Sequence, residues 1–171
     1  MTEANPEEAV KPLVTAAEIA ELPEFHVSHP FNPQSDIYLK RLAPLAGLTR
    51  LSLTMGRVPP GKDSFIYHSH ERDEEFLFIL SGRGRAEIGE ETFEVGPGDF
   101  MGFPAPGGPA HNLSNPYEED LVYLMAGEHS GLDIGHFPRL GKRIIFGPSG
   151  IQAYDDKDAQ QLVFTDFLAK D

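Results

Sequence analysis

"YHSHERDEEFLFILSG", Tyr67 to Gly82, sets two histidines one residue apart, then an acidic cluster, then an apolar run that stops at glycine. In an extended chain residues i and i+2 point to the same face. His68 and His70 therefore project together if "FIYHSH" is a strand. "EFLFILSG" reads as the next strand, and an antiparallel neighbour lies only ~5 Å away. Alternation puts Glu75, Leu77 and Ile79 on one of its faces and Glu74, Phe76 and Phe78 on the other. The carboxylate expected to join the histidines is thus Glu75. A fourth donor has to come from another strand, and His111, just past a Pro/Gly loop, is the candidate.

Outward from that stretch the texture is uniform. "LTRLSLTMGRV" alternates before "PPGKD" breaks it, and "GRAEI" and "ETFEV" flank Gly89-Glu90 as a two-residue hairpin of the Gly-X type. "EEDLVYLMAGE" and "KRIIFG" follow, whereas "GEHSGLDIGHFPRLGKR" between them reads as loop. Many short strands at even spacing, with no long helices between them, argue for a sandwich or closed barrel. The domain organisation expected is an N-terminal extension over 1–41, a β-barrel over 42–150 and a C-terminal segment over 151–171. The extension holds a short helix, with Thr15 as N-cap, Glu18 three residues on and Pro23 as the stop. A second short helix is expected over 155–171, packing its apolar face on the barrel.

These residues, in this order, resemble the two motifs of the cupin superfamily. Gly61, His68, His70, Glu75 and Gly82 stand as in the first motif, with the spacings after His70 matching and one extra residue after Gly61. Gly98, Pro106, Gly108, His111 and Asn115 stand as in the second, with two extra residues before Pro106. The likeness runs from about Leu51 to Ala126. It implies an all-β, double-stranded β-helix (a jelly-roll barrel) with His68, His70, Glu75 and His111 inside it, holding one divalent metal.

There is no cysteine, so any metal is held by nitrogen and oxygen. Three neutral imidazoles and one carboxylate leave a divalent ion with one net positive charge, which suits Fe, Mn, Ni, Co or Zn. Four protein donors leave one or two positions open for water, dioxygen or a bidentate substrate. Ser69, Asp73 and Asn115 stand near enough in sequence to orient the imidazoles from outside. The resemblance implies a small-molecule metalloenzyme of the dioxygenase, sugar-phosphate isomerase or lyase type. The alternative is a non-catalytic barrel that binds or senses a sugar or an organic acid. Fold does not choose between them.

Other residues carry weaker signals. If Leu51, Leu53 and Met55 face inward, Arg57 shares their face and could meet an anionic substrate, although a strand-end arginine covering apolar surface is the simpler reading. Tyr123 could line the pocket or be plain core. His136, like His129, could close over the metal as an acid–base group or lie on a surface loop. "PRLGKR" could take an anion, but pairing with surrounding carboxylates is favoured. His26 and His29 look unrelated to the site.

The chain carries 14 Lys+Arg against 27 Asp+Glu, a balance of −13 that repels phosphate backbones and anionic membranes. No nucleic-acid or membrane partner is expected, since no apolar run approaches the ~20 residues of a span either. "MTEANPEEAVKP" lacks the basic and apolar regions of a signal peptide, so a soluble cytoplasmic protein is expected. The partner expected is a small polar molecule. Phe76 and Phe78 on the outer face need a cover, and the resemblance implies a homodimer.

Overall fold

A computed structural model of the chain describes residues 10–163. The helix α1 spans Ala16–Glu21 and opens on a full capping box. The Glu18 amide donates to Thr15 Oγ1 and the Thr15 amide donates to Glu18 Oε2. Everything else of length is strand. The first strands are β1 (Phe25–Val27), β2 (Ile37–Arg41), β3 (Leu51–Val58), β4 (Lys62–Asp63) and β5 (Ser69–His70). The next five are β6 (Glu75–Ser81), β7 (Gly84–Ile88), β8 (Glu91–Val95), β9 (Phe100–Phe103) and β10 (His111–Asn115). The last are β11 (Leu121–Glu128), β12 (Asp133–Phe137), β13 (Lys142–Gly147) and β14 (Gly150–Asp155).

They assemble as three sheets, in the orders β1-β2-β3-β11-β6-β9, β4-β10-β7-β8 and β14-β13-β12-β5. All their ladder pairings are antiparallel. The first two sheets face each other across a core of Ile37, Val58, Leu77, Ile79, Leu113 and Leu121, with Val95 and Phe103 in the same buried cluster. Burying each such side chain contributes about 1.5–3 kcal/mol. The result is an all-β jelly-roll, the barrel that the family resemblance implied.

Local chemistry explains most turns. Ile88 pairs with Glu91 and Gly89 sits at φ +62°, so the hairpin takes its positive φ at the first central residue, where glycine adopts it without a Cβ penalty. β6 has the faces that alternation requires, with Leu77 and Ile79 buried while Phe76 and Leu80 are exposed. β3 reverses the expectation. Its buried residues are Thr54, Gly56 and Val58, so Leu51, Leu53 and Met55 lie on the outer face together with Arg57. The apolar alternation of this strand thus points outward, and its inward face is made of Thr54, Gly56, where a Cβ would meet the Tyr123 ring at 2.8 Å, and Val58.

Two further expectations need adjusting. "GLDIGHFPRLGKR" is β12 and the start of β13, not loop. Its inward positions are Asp133, Gly135 and Phe137, which hide the apolar alternation of a strand. Of the helix expected over 155–171, the described part holds one 3-10 turn, Asp156–Asp158, then irregular chain to Val163. Residues 164–171 lie outside the described part. The N-terminal extension contributes β1 and β2 to the largest sheet, and β14 carries the third sheet to Asp155.

Candidate metal centre

At β5 the chain changes partners between sheets. His68 exchanges backbone hydrogen bonds of 3.0 and 2.7 Å with His111 of β10, so the two imidazoles rise side by side. Two residues later His70 pairs with Gly135 of β12. Glu75 arrives from β6, paired with Gly127 on one side and Phe103 on the other. A Cβ on Gly127 would sit 2.2 Å from the Glu74 carbonyl oxygen, so only glycine lets β11 approach the strand that carries Glu75.

His68, His70 and Glu75 each offer a ligand atom, and the three atoms lie within 4.8 Å of one another. Glu75 Oε2 is 3.5 Å from His70 Nε2 and 3.3 Å from His111 Nε2. The His111 ring lies flat on Phe103 at 3.5 Å and 4.8 Å from the His68 ring. The outer nitrogens are engaged elsewhere. His68 Nδ1 is 2.6 Å from the Ile66 carbonyl oxygen, His70 Nδ1 is 2.5 Å from Asp133 Oδ2, and His111 Nδ1 is 3.4 Å from the Pro109 carbonyl oxygen.

This donor set fits a divalent cation. An imidazole that gives its Nδ1–H to an oxygen presents the lone pair of Nε2, and here the Nε2 atoms of His70 and His111 flank the Glu75 carboxylate. Burial pushes His68 down to about 4, leaving it neutral as a ligand must be. Burial opposes the His70 charge too, but hydrogen bonds to Asp133 and Glu75 outweigh it and raise that group to about 10. Burial would raise Glu75, yet the imidazoles of His111 and His70 hold it well below the usual carboxylate range. An acidic carboxylate facing an imidazolium is what such a cluster becomes when protons stand in for a cation. His68, Glu75 and His111 also border a cavity of about 10 Å³, room for one water-sized group.

The family model "Cupin domain" matches residues 54–127. A solved structure from Acidithiobacillus ferrooxidans, provisionally called a sugar phosphate isomerase, is 33% identical, with 90% of this chain and 97% of that one covered at a TM-score of 0.85. This chain is a cupin. Two more distant structures share the fold. A sugar phosphate isomerase from Silicibacter pomeroyi is 18% identical, with 82% and 90% covered at a TM-score of 0.73. A polyketide cyclase from Streptomyces resistomycificus is 22% identical, with 68% and 80% covered at 0.56. No curated protein matches the chain.

The remaining candidates of this cupin separate cleanly. Tyr123 is buried on β11 and borders the same small cavity as Glu75, its hydroxyl 2.6 Å from Ser64 Oγ. Burial raises its phenol far above the ordinary value, so it stays neutral. Arg57 is held by Glu24 at 2.6 and 3.1 Å and by Asp120 at 3.2 Å, and it stacks on Tyr38. That arginine fastens the N-terminal segment to the sheet. His136 points away from the buried face of β12 and meets Asp156 at 3.3 Å. The cations of "PRLGKR" pair as expected, Arg139 with Glu87, Lys142 with Asp155 and Arg143 with Asp156.

The outer partners of the histidines are not the nearby Ser69, Asp73 and Asn115 that the sequence suggests. Asn115 instead ties the chain together, donating to the carbonyls of Val58 and Glu119 and accepting from the Tyr117 amide. Asp73 accepts from the Ser130 amide. The carboxylate on His70 is Asp133, 63 residues away, in the segment read as loop. Phe137 of the same strand stacks on His68 at 5.6 Å, and His29 lies against that same Phe137 ring at 5.5 Å. No local motif marks either residue.

Proposed function

We propose that this cupin holds one divalent ion (Fe, Mn, Ni, Co or Zn) through His68, His70, Glu75 and His111, and isomerises a sugar phosphate. The observation that carries the metal reading is the orientation of the three imidazoles. Each commits Nδ1 to an oxygen, and two turn Nε2 to within 3.5 Å of one Glu75 oxygen. The reaction type rests on the relative from Acidithiobacillus ferrooxidans, which matches nearly end to end.

When bound, the ion would polarise a hydroxyl or carbonyl oxygen of the substrate. The chain's own groups prepare for that. Glu75 remains ionised, held by two imidazoles, and supplies negative charge where a cation sits. Tyr123 and Ser64 close the inner side of the cavity with two hydroxyls that satisfy each other, so the reacting end of a substrate arrives from the opposite side. Phe103 and Phe137 pack the rings of His111 and His68 and keep those donors from swinging. The outer face of the largest sheet, with Phe76 and Phe100 in contact at 5.6 Å and exposed, supports a homodimer.

Among the described residues no helix is long and apolar enough to cross a membrane. The test is elemental analysis of protein purified without a histidine tag, followed by aldose–ketose interconversion assays on sugar phosphates. One equivalent of metal and turnover that vanishes in His111→Ala support the reading. Protein that cannot be loaded sinks it, and loaded protein that binds sugar phosphate without converting it leaves a binding module in its place. Light scattering on the same sample reports whether the species in solution is a dimer.

A further inference from the structure

We propose that Asp133, on β12 beyond the stretch matched by the family model, is a positioning residue that aims His70 at the metal and neutralises the charge left there. The inference rests on the metal reading above. Four observations carry it. The carboxylate is buried, 6% exposed, and its Oδ2 lies 2.5 Å from His70 Nδ1. Its Oδ1 is anchored separately by the backbone amides of Arg72 at 3.1 Å and Asp73 at 3.3 Å. Strand β12 pairs with β5 at His70 itself, Gly135 opposite His70, so backbone register and side-chain contact act on the same residue. Finally, residues 54–127 contain all four proposed ligands but not Asp133.

The physical consequences follow from geometry and charge. A carboxylate on Nδ1 requires the proton there and leaves the lone pair on Nε2, 3.5 Å from Glu75. With both oxygens engaged, Asp133 cannot rotate away, and the ring plane of His70 is set by a neighbour rather than by its own rotamer. Charge matters equally. A divalent ion against Glu75 alone keeps one uncompensated positive charge in an interior that tolerates such charges poorly. Asp133 lies one imidazole away and supplies the missing negative charge. The third sheet is thereby part of the metal centre.

Asp133→Asn tests this with little change of shape. The amide keeps an oxygen for the Arg72 and Asp73 amides but turns an N–H toward His70 Nδ1. The ring then accepts at Nδ1 and carries its proton on Nε2, where it blocks the ion. Zn(II) alone is the probe, titrated against a chelating dye into wild type and variant, with the melting curves of the metal-free proteins as the check on folding. The expected result is affinity weakened about 10–100-fold by the substitution. Equal affinity for wild type and variant overturns the inference while leaving the metal reading intact. Wild type that binds no Zn(II) overturns the metal reading and this inference with it. If the variant fails to fold, the wild type still decides through proton NMR of its Zn(II) form. A slowly exchanging, strongly deshielded Nδ1–H assigned to His70 supports the inference, and its absence overturns it.

Discussion

Asn115 invites a test because it occupies the last position of the second motif yet touches no histidine. Its side chain is fully buried and makes three hydrogen bonds, to the Val58 carbonyl at 2.8 Å, to the Glu119 carbonyl at 2.7 Å and from the Tyr117 amide at 3.1 Å. These bonds join β10, the end of β3 and the turn before β11. Asn115→Ala removes all three and strands their partners. At about 1 kcal/mol per bond, the loss is roughly 3 kcal/mol. For a chain of this size that corresponds to a fall in Tm of about 6–12 °C, at roughly 2–4 °C per kcal/mol. Asn115→Asp should be worse, because a carboxylate oxygen would face two carbonyl oxygens. The assay is urea unfolding of the metal-free protein, paired with Zn(II) titration of the folded variant. Stability should drop with an unchanged denaturant slope, while Zn(II) affinity stays within about threefold of wild type. A loss below 1 kcal/mol refutes the hydrogen-bond reasoning; a large loss of affinity in a folded variant refutes the assignment of Asn115 to the fold.

The other predictions concern the metal centre. His70 holds its proton up to about 10, so an ion must displace it. Metal affinity should therefore rise about tenfold per pH unit between 7 and 10, with one proton from His70 released on loading at pH 7, measured by titration calorimetry in buffers of different ionisation enthalpy. A flat profile would contradict that displacement. Gly127→Ala should destabilise by about 2–4 kcal/mol, since its Cβ would meet the Glu74 oxygen at 2.2 Å, and should weaken metal binding by shifting Glu75. Stripping the ion with a chelator should lower Tm by about 5–11 °C if loading had been at 100 times Kd, from roughly 2.7 kcal/mol of linkage. His136→Ala should leave Zn(II) affinity unchanged, because that ring faces Asp156.

What sequence alone determined was set by short-range parity. His68 and His70 are two residues apart on one stretch, and the alternation of Leu77 and Ile79 against Phe76 and Phe78 singled out Glu75 over Glu74. The capping box at Thr15 and the Gly89 hairpin were legible for the same reason, since each closes within four residues. Tertiary structure decided whatever depended on distant pairing. β3 turned its apolar alternation of Leu51, Leu53 and Met55 outward where it pairs with β2 and β11, and Arg57 turned outward with it to Glu24 and Asp120. Asp133 reached His70 across 63 residues because β12 pairs with β5, and an aspartate between Leu132 and Ile134 carries no periodic sign of that contact. The proposed donors lie in short sequence patterns; their aim depends on which strands the chain lays side by side.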